Sequence, residues 1–344
     1  MKTRLLSSDQ IEEAAALLRA GEPVGMPTET VYGLACDAGN PDAVRKVFNA
    51  KGRPADNPLI VHIADLSEWA PLVKEIPPLA RHLAERFWPG PLTIILPRSE
   101  RIPAITAGGL DSVGVRFPAH PLAQAMIRAS ELPLAAPSGN RSGSPSPTTA
   151  QHMFSDMDGR IPAIVDGGSC ICGVESTVII LDDAETVRVL RPGFVTPEQL
   201  RTVAKRVIVD KAVLAKVSAG TTVRSPGMKY KHYAPAAAVT MLHGDQAHVL
   251  SYLQKKQGEG VYALVFDSDL SACREHGIRA LTYGDTDEAR ASVFFARLRE
   301  LDACGARHIY VRAPRTDGVG LAVYNRLIRA AGYDIVQTDS EEKG

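Results

Sequence analysis

The chain has 344 residues, of which 45% are hydrophobic and 23% are charged. This length and composition exclude a disordered chain and predict a globular protein with room for two domains. Because 39 lysines and arginines balance 39 aspartates and glutamates, there is no net field to attract nucleic acid, and any bound polyanion must meet a local cluster of cations.

The N-terminal residues and the apolar runs indicate where the protein is located. The first residues, MKTR, are followed by no apolar segment, and no apolar run is long enough to span a bilayer. We therefore expect a cytoplasmic protein that does not enter a membrane.

The five cysteines form no even disulfide framework, and Cys170 and Cys172 lack a second pair at zinc spacing, so we expect reduced thiols and no metal site in the protein.

Predicted helices alternate with predicted strands in the first half of the chain. They follow in the order helix 11–20, strand 23–27, helix 43–50, strand 59–63, helix 79–87, strand 92–96 and strand 112–117. Such alternation predicts an α/β domain, in which ligands are held at strand ends.

The pattern breaks up after residue 196. Glycine and proline punctuate residues 225–235 (SPGMKYKHYAP), which predicts an interdomain linker at 197–235 between a domain at 1–196 and another at 236–344. In the later domain, predicted elements are strands at 239–242, 261–266 and 308–311 and helices near 247–256, 287–301 and 319–331. This indicates a smaller open-sheet α/β unit, to which we assign no functional site.

Residues 51–59 (KGRPADNPL) are the first candidate binding segment. Lys51 would supply a mobile point charge and Arg53 a planar fork for phosphate oxygens, while Gly52 would let an anion approach backbone N–H groups. The segment thus predicts a phosphate grip without a Walker loop. A solvated surface loop is the alternative.

Four further segments place polar residues beside glycine or proline at the ends of apolar runs: 110–118 (LDSVGVRFP), 135–146 (AAPSGNRSGSPS), 173–179 (GVESTVI) and 190–193 (LRPG). In the first, strand alternation places Ser112, Gly114 and Arg116 on one face. The alternatives are an exposed strand face, a flexible polar linker, and capping residues with a surface arginine.

Taken together, the ordered motifs resemble those of the YrdC/Sua5 family. The matching segments are 27–34 (PTETVYGL), 51–53 (KGR), 57–59 (NPL), 89–93 (PGPLT), 115–118 (VRFP), 137–140 (PSGN) and 173–177 (GVEST), and residues 225–235 resemble the linker of the two-domain Sua5 form. The resemblance extends over nearly the whole chain. It implies a YrdC-like twisted mixed open sheet with helices, followed by a smaller C-terminal Rossmann-like α/β domain. One difference is Gly139, where the family usually has alanine.

The resemblance implies an L-threonylcarbamoyladenylate synthase, a nucleotidyltransferase. Such an enzyme joins L-threonine, bicarbonate or CO2, and ATP into threonylcarbamoyl-AMP and releases pyrophosphate. The product feeds a downstream threonylcarbamoyl transferase that modifies adenosine 37 of tRNA. Direct tRNA binding is left open and is not required.

The same resemblance implies the site residues. Lys51 and Arg53 are the catalytic candidates. Contacts to ATP or the adenylate are implied for Lys51, Arg53, Asn57, Ser112, Ser138, Ser146, Arg191 and Tyr230, and contacts to L-threonine for Thr30, His62, Arg116, Ala136 and Ser176. We expect Mg2+ to arrive with ATP, held mostly by triphosphate oxygens and water. Residues 229–232 are a candidate lid over the charged site.

Two other functions stay open at this point. An RNA-binding module could use the basic turns with Tyr230 or Tyr233. A carbamoyl transferase acting through carbamoyl-AMP is the second, although the sequence has none of the acylphosphatase, zinc-finger or transferase-domain signals that such enzymes carry.

Overall fold

The computed structural model of the protein describes residues 2–215 and 233–340. Their contacts divide the chain into two compact units. One comprises residues 2–142 and 146–215, and the other comprises residues 143–145 and 233–340. Within the described residues, no helix has both the length and the apolar character needed to cross a membrane.

Strands and helices alternate through the first unit. They are β1 (Arg4–Leu6), α1 (Ile11–Arg19), β2 (Val24–Met26), β3 (Gly33–Asp37), α2 (Pro41–Lys51), β4 (Ile60–His62), α3 (Pro78–Phe87), β5 (Leu92–Pro97), β6 (Ser112–Arg116), α4 (Pro121–Ser130), β7 (Leu134–Ala135), α5 (Ala150–Met157), β8 (Ala163–Val165), β9 (Thr177–Leu181), β10 (Thr186–Arg191), α6 (Pro197–Leu200) and β11 (Arg206–Val209). Short 3-10 turns lie at Leu66–Glu68, Ala70–Leu72 and Lys211–Val213.

These strands form one mixed open sheet in the order β1-β8-β2-β3-β7-β4-β6-β5-β9-β10-β11. At its centre, β4 and β6 are parallel, with His62 opposite Arg116, and β6 and β5 are antiparallel, with Gly114 opposite Ile95. β5 in turn runs parallel to β9. The observed sheet confirms the predicted mixed α/β domain.

The central strands separate a large core from a small one. Val113 and Val115 of β6 pack into the large core, which α2, α3 and α5 also line. On alternate positions, Ile60, Ile95 and Val178 belong to a small buried apolar cluster. Since side chains alternate along a strand, Ser112, Gly114 and Arg116 share the face opposite to that of Val113 and Val115.

Helix α2 shows how the KGR segment is shaped locally. Asn40 caps its N-terminus by accepting hydrogen bonds from the N–H groups of Asp42 and Ala43. Gly52 ends the helix in the left-handed conformation (φ 63°), and the N–H groups of Gly52 and Arg53 donate to carbonyls of the last turn. The expectation that these N–H groups are open to an anion is therefore wrong, because the helix cap uses both.

The predicted linker at 197–235 contains regular structure in its first part. Thr196 caps α6 through a reciprocal capping box with Gln199, and β11 pairs in parallel with β10 at the edge of the first sheet. The prediction of a linker beginning at residue 197 is thus wrong for these residues. The β-branched run Val207, Ile208 and Val209 was a strand signal.

The second unit is a five-stranded sheet with helices. Its elements are β12 (Ala238–His243), α7 (Gln246–Lys255), β13 (Val261–Val265), α8 (Leu270–Glu275), β14 (Ala280–Thr282), α9 (Asp287–Ala303), β15 (His308–Arg312), α10 (Gly320–Ala330) and β16 (Ile335–Gln337), with 3-10 turns at Asp267–Asp269 and Thr338–Ser340. The strand order is β14-β13-β15-β12-β16, and every pairing is parallel. This confirms the predicted smaller α/β domain.

All five cysteines are free thiols. Cys36, Cys170, Cys172 and Cys273 are buried, and Cys304 is exposed. Burial raises the pKa of Cys172 to about 12, and burial likewise raises the pKa of Cys170. The buried thiols near the first sheet are accordingly protonated and unreactive.

Candidate active site

Three of the predicted site residues of the first unit, His62, Ser112 and Arg116, lie on the neighbouring strands β4 and β6. Ser112 and Arg116 stand on the same face at opposite ends of β6, roughly 13 Å apart from the rise of about 3.3 Å per residue. The strand therefore offers an axis about as long as a nucleotide, with a cation at one end and a hydroxyl at the other.

Arg116 is buried at the C-terminal end of β6, and three neighbouring residues hold its guanidinium group. Its Nε donates to the Gly90 carbonyl (3.3 Å), Nη1 donates to Thr30 Oγ1 (2.9 Å), and Nη2 lies 2.7 Å from Glu29 Oε1. Thr30 is itself held by Thr28, whose hydroxyl donates to the Val31 carbonyl (2.6 Å) and lies 2.9 Å from Thr30 Oγ1. The guanidinium orientation is thus fixed before any ligand arrives.

The charge of Arg116 is balanced by Glu29, which the sequence analysis left unassigned. Burial acts to raise the pKa of Glu29, but the charge and hydrogen bond of Arg116 outweigh it and hold the pKa below its usual value. Arg116 has five N–H donors: Nε donates to Gly90 and one N–H of Nη1 to Thr30, while Nη2 faces Glu29 as an ion pair, so at least one N–H on each terminal nitrogen has no hydrogen-bond partner among the described residues. Such a pair suits a carboxylate, which accepts a forked contact from arginine.

His62 lies beside Arg116 because the two residues are paired in register on β4 and β6. Its Nδ1 lies 3.1 Å from the Ile60 carbonyl oxygen. Burial, and then the charge of Arg116, lower the pKa of His62 to about 3. His62 is therefore neutral at neutral pH, and its contact with L-threonine stays a prediction.

Ser176 and Arg191, which were assigned to different ligands, are in direct contact. Arg191 Nε donates to the Ser176 carbonyl (3.0 Å) and Nη2 donates to Ser176 Oγ (3.1 Å). Ser176 Oγ also lies 2.8 Å from Thr93 Oγ1 of β5. The expected amino-acid side and the expected adenylate side of the site therefore meet at these two residues.

Lys51 is buried at the end of α2. Its Nζ donates to the carbonyls of Ser138 and Asn140, both at 2.5 Å, and so ties the 137–140 turn to the helix. Burial first, and then the charge of Arg53, hold the pKa of Lys51 well below its usual value. The expectation of a mobile point charge is wrong because Lys51 is buried and held by two carbonyls, and a phosphate contact from Lys51 stays a prediction.

Arg53 and Asn57 lie toward the Ser112 end of the axis. Arg53 Nη2 donates to the Pro58 carbonyl (3.2 Å), and the chain then enters β4, where Ile60 is opposite Gly114. A cavity of about 720 Å³ opens at this end of the sheet. Its polar lining residues are Lys74, Glu75, Asp111 and Ser112, and its apolar ones include Ile95, Leu110 and Ile180.

Ser146 and Ala136 complete the described residues of the predicted set. Ser146 is fully buried and donates to Glu175 Oε1 (2.5 Å). The Ala136 N–H donates to the Ile60 carbonyl (3.0 Å), so a backbone contact from Ala136 to a ligand would use its carbonyl. Tyr230 and the candidate lid at 229–232 lie outside the described residues.

Among the described residues, no group of three or more histidine, cysteine, aspartate or glutamate side chains brings its ligand atoms together at this site. Glu29 pairs with Arg116, and Glu175 accepts from Ser146. Asp245, His248 and Asp339 of the second unit approach one another, but Asp245 caps α7 and bonds His248, which accounts for that closeness.

Two family models match consecutive parts of the chain. Residues 16–193 match the Sua5, YciO and YrdC model described as "Telomere recombination", and residues 195–332 match a model described as the C-terminal domain of threonylcarbamoyl-AMP synthase. Two proteins named threonylcarbamoyl-AMP synthase are each 44% identical to it over 95% of its length. The one from Pyrococcus abyssi is covered over 96% of its own length, and the one from Bacillus subtilis over 94%.

A solved structure is similar as well. The crystal structure of P. abyssi Sua5 complexed with L-threonine has a TM-score of 0.89 and 42% identity, covering 98% of this chain and 99% of that one. The likeness extends over both units.

Proposed function

We propose that this chain, which belongs to the Sua5, YciO and YrdC family, is an L-threonylcarbamoyladenylate synthase. It also carries the Sua5 C-terminal domain. The amine of L-threonine combines with CO2 from bicarbonate to form a carbamate with loss of a proton. A carbamate oxygen then attacks the α-phosphorus of ATP, the bond to the β-phosphate oxygen breaks, and pyrophosphate leaves.

Both reactants of the second step are anionic, so catalysis depends on charge neutralisation and alignment. The observation that carries the assignment to this site is the contact of Arg191 with Ser176, which joins the adenylate side to the amino-acid side. Arg116, with N–H groups on both terminal nitrogens that have no hydrogen-bond partner among the described residues, is the group for the threonine carboxylate. Arg53, at the Ser112 end, is the candidate for the phosphates.

Mg2+ enters this proposal as a companion of ATP. The carboxylates of Glu29 and Glu175 are engaged by Arg116 and Ser146, which supports coordination of Mg2+ by phosphate oxygens and water. When bound, Mg2+ would offset charge on the triphosphate.

The partners follow from the reaction. The substrates are ATP, L-threonine and bicarbonate, and the product passes to a transferase that modifies adenosine 37 of tRNA. We place the reaction in the cytoplasm, where these substrates and tRNA meet. The reaction itself needs no tRNA contact.

The test uses the whole purified chain with α-labelled ATP, Mg2+ and bicarbonate, with and without L-threonine. We expect a new labelled adenylate and pyrophosphate only when both threonine and bicarbonate are present. Folded protein that makes no such adenylate would contradict the proposal. Adenylate formed from carbamoyl phosphate would instead indicate the carbamoyl-transfer chemistry.

A further inference from the structure

Thr93 is the last residue of the 89–93 motif, and the sequence analysis assigned it no role. Thr93 is completely buried, and Ser176 is 1% exposed to solvent. The two hydroxyl oxygens are 2.8 Å apart. The pairing of β5 with β9 places Thr93 opposite Val178, two residues after Ser176. Gly114 leaves room for it, because a Cβ there would lie 2.9 Å from Thr93 Cγ2.

The direction of the hydrogen bond between the two hydroxyls follows from the available donors and acceptors. Arg191 has only donors, so its Nη2 fills one lone pair of Ser176 Oγ. Among the described residues, Ser176 is the hydrogen-bond partner found for the Thr93 hydroxyl. Either hydroxyl could be the donor in this bond, and in each direction one of the two protons is left without an acceptor among the described residues. When a ligand places an acceptor beside Ser176, both protons are satisfied only if Thr93 donates to Ser176 and Ser176 donates to the ligand.

This direction determines what Ser176 can offer a ligand. Arg191 and Thr93 together fill both lone pairs of Ser176 Oγ, and a hydroxyl has just two. The Ser176 proton is then the part of that hydroxyl left to bind, and it requires an acceptor. Negatively charged oxygens are the strongest acceptors for such a proton.

We propose that Thr93 is a positioning residue that fixes the Ser176 hydroxyl as a donor to an anionic oxygen of the amino-acid substrate. That oxygen belongs either to the carboxylate of L-threonine or to the carbamate formed from it. This inference rests on the proposed function. It assigns Thr93 an effect on the reaction that passes entirely through Ser176.

A double-mutant cycle tests the proposal with four full-length proteins: the unmodified chain, Thr93→Val, Ser176→Ala and the double variant. Valine has the shape of threonine without the hydroxyl. We expect Thr93→Val to lower kcat/KM for L-threonine by roughly tenfold, because Ser176 is then no longer held as a donor to the anionic oxygen. In the Ser176→Ala background, the same change should have little further effect.

Two further variants separate positioning from structure. Thr93→Ser keeps the hydroxyl and should restore kcat/KM to within about threefold, and the comparison of Thr93→Ser with Thr93→Ala isolates the hydroxyl if Thr93→Val does not fold. Thr3→Val is the matched control: Thr3 is a buried threonine whose hydroxyl bonds the Ile161 carbonyl (2.6 Å). It should lower the melting temperature without changing kcat/KM.

The two candidate oxygens are distinguished by calorimetric binding of L-threonine alone. Weaker binding by Thr93→Val indicates the carboxylate, and unchanged binding with slower adenylate formation indicates the carbamate oxygen. The inference would be overturned if Thr93→Val lowered kcat/KM equally in the unmodified and Ser176→Ala backgrounds, or if Thr93→Ser did not restore kcat/KM. The enzyme assignment would stand in either case. An unmodified chain that neither binds threonine nor forms adenylate would overturn the proposed function itself.

Discussion

Arg116 is the buried cation around which the amino-acid end of the site is organised. Gly90, Thr30 and Glu29 hold its guanidinium in one orientation, so little reorganisation is needed when a carboxylate binds. A buried arginine of this kind depends on its counter-charge, because removing one partner of a buried ion pair leaves the other uncompensated.

Glu29→Gln should therefore destabilise the protein by about 3–5 kcal/mol in the free energy of unfolding at neutral pH. The pKa of Glu29 is lowered in the fold, so its pairing stabilises the fold above the unfolded value near 4.5 and this contribution is lost as the pH falls through the folded value. Urea unfolding at several pH values measures both effects. The variant should lose less stability on acidification than the unmodified chain, and the exposed Glu100→Gln should behave like the unmodified chain.

His62 is buried in its neutral form, whereas Glu29 is buried in its charged form. Its pKa is about 3 in the fold against 6.5 for an ordinary histidine. Between these values the unfolded chain binds a proton that the folded chain does not, so this contribution to stability is present above 6.5 and falls as the pH drops toward 3. His62→Asn should make the free energy of unfolding less dependent on pH in that window. The exposed His82→Asn should leave the dependence as it was.

Arg53→Ala tests the candidate phosphate contact directly. We expect adenylate formation to fall on the order of a hundredfold or more, as for removal of a charge-stabilising donor, with the fold retained. The control is Arg45→Ala on the preceding helix α2, where the arginine is exposed and pairs with Asp42. Unchanged turnover in Arg53→Ala would remove Arg53 from the site.

At the scale of elements, β6 and its neighbours depend on the absence of a side chain at Gly114. An alanine Cβ would lie 2.9 Å from Thr93 Cγ2, so Gly114→Ala must displace Thr93 or separate β5 from β6. We expect a loss of about 1–3 kcal/mol in stability together with weaker use of L-threonine. Gly258→Ala is the control, since its Cβ would meet nothing closer than 3.6 Å. Equal KM values for threonine in the two variants would contradict the expectation.

Sequence patterns located these central strands and the Ser112 to Arg116 face, because side-chain alternation is a local property. Other features depend on distant pairings. The roles of Glu29 and Thr93 arise from contacts with Arg116 and Ser176, each more than 80 residues away, and no local pattern reveals them. The burial of Lys51 against the 137–140 turn was hidden for the same reason. β11 was missed because glycine and proline nearby indicated a linker.

At the scale of the whole molecule, salt dependence distinguishes an enzyme for small substrates from an RNA-binding module. Adenylate formation should change by less than about twofold between roughly 50 and 200 mM salt, whereas an RNA complex with many phosphate contacts loses several orders of magnitude in affinity over that range. Turnover assays and RNA titrations at the two salt concentrations provide the comparison. Steep salt dependence of both would favour the RNA-binding alternative.

The distribution of the thiols gives this chain a ready point of attachment. Four of the five cysteines are buried, and Cys304, after α9 in the second unit, is exposed. A maleimide dye or spin label should therefore couple to Cys304 in the native protein without any engineered cysteine. Because Cys304 belongs to the unit that has no assigned function, a reporter there would register changes in that unit while adenylate is formed at the other.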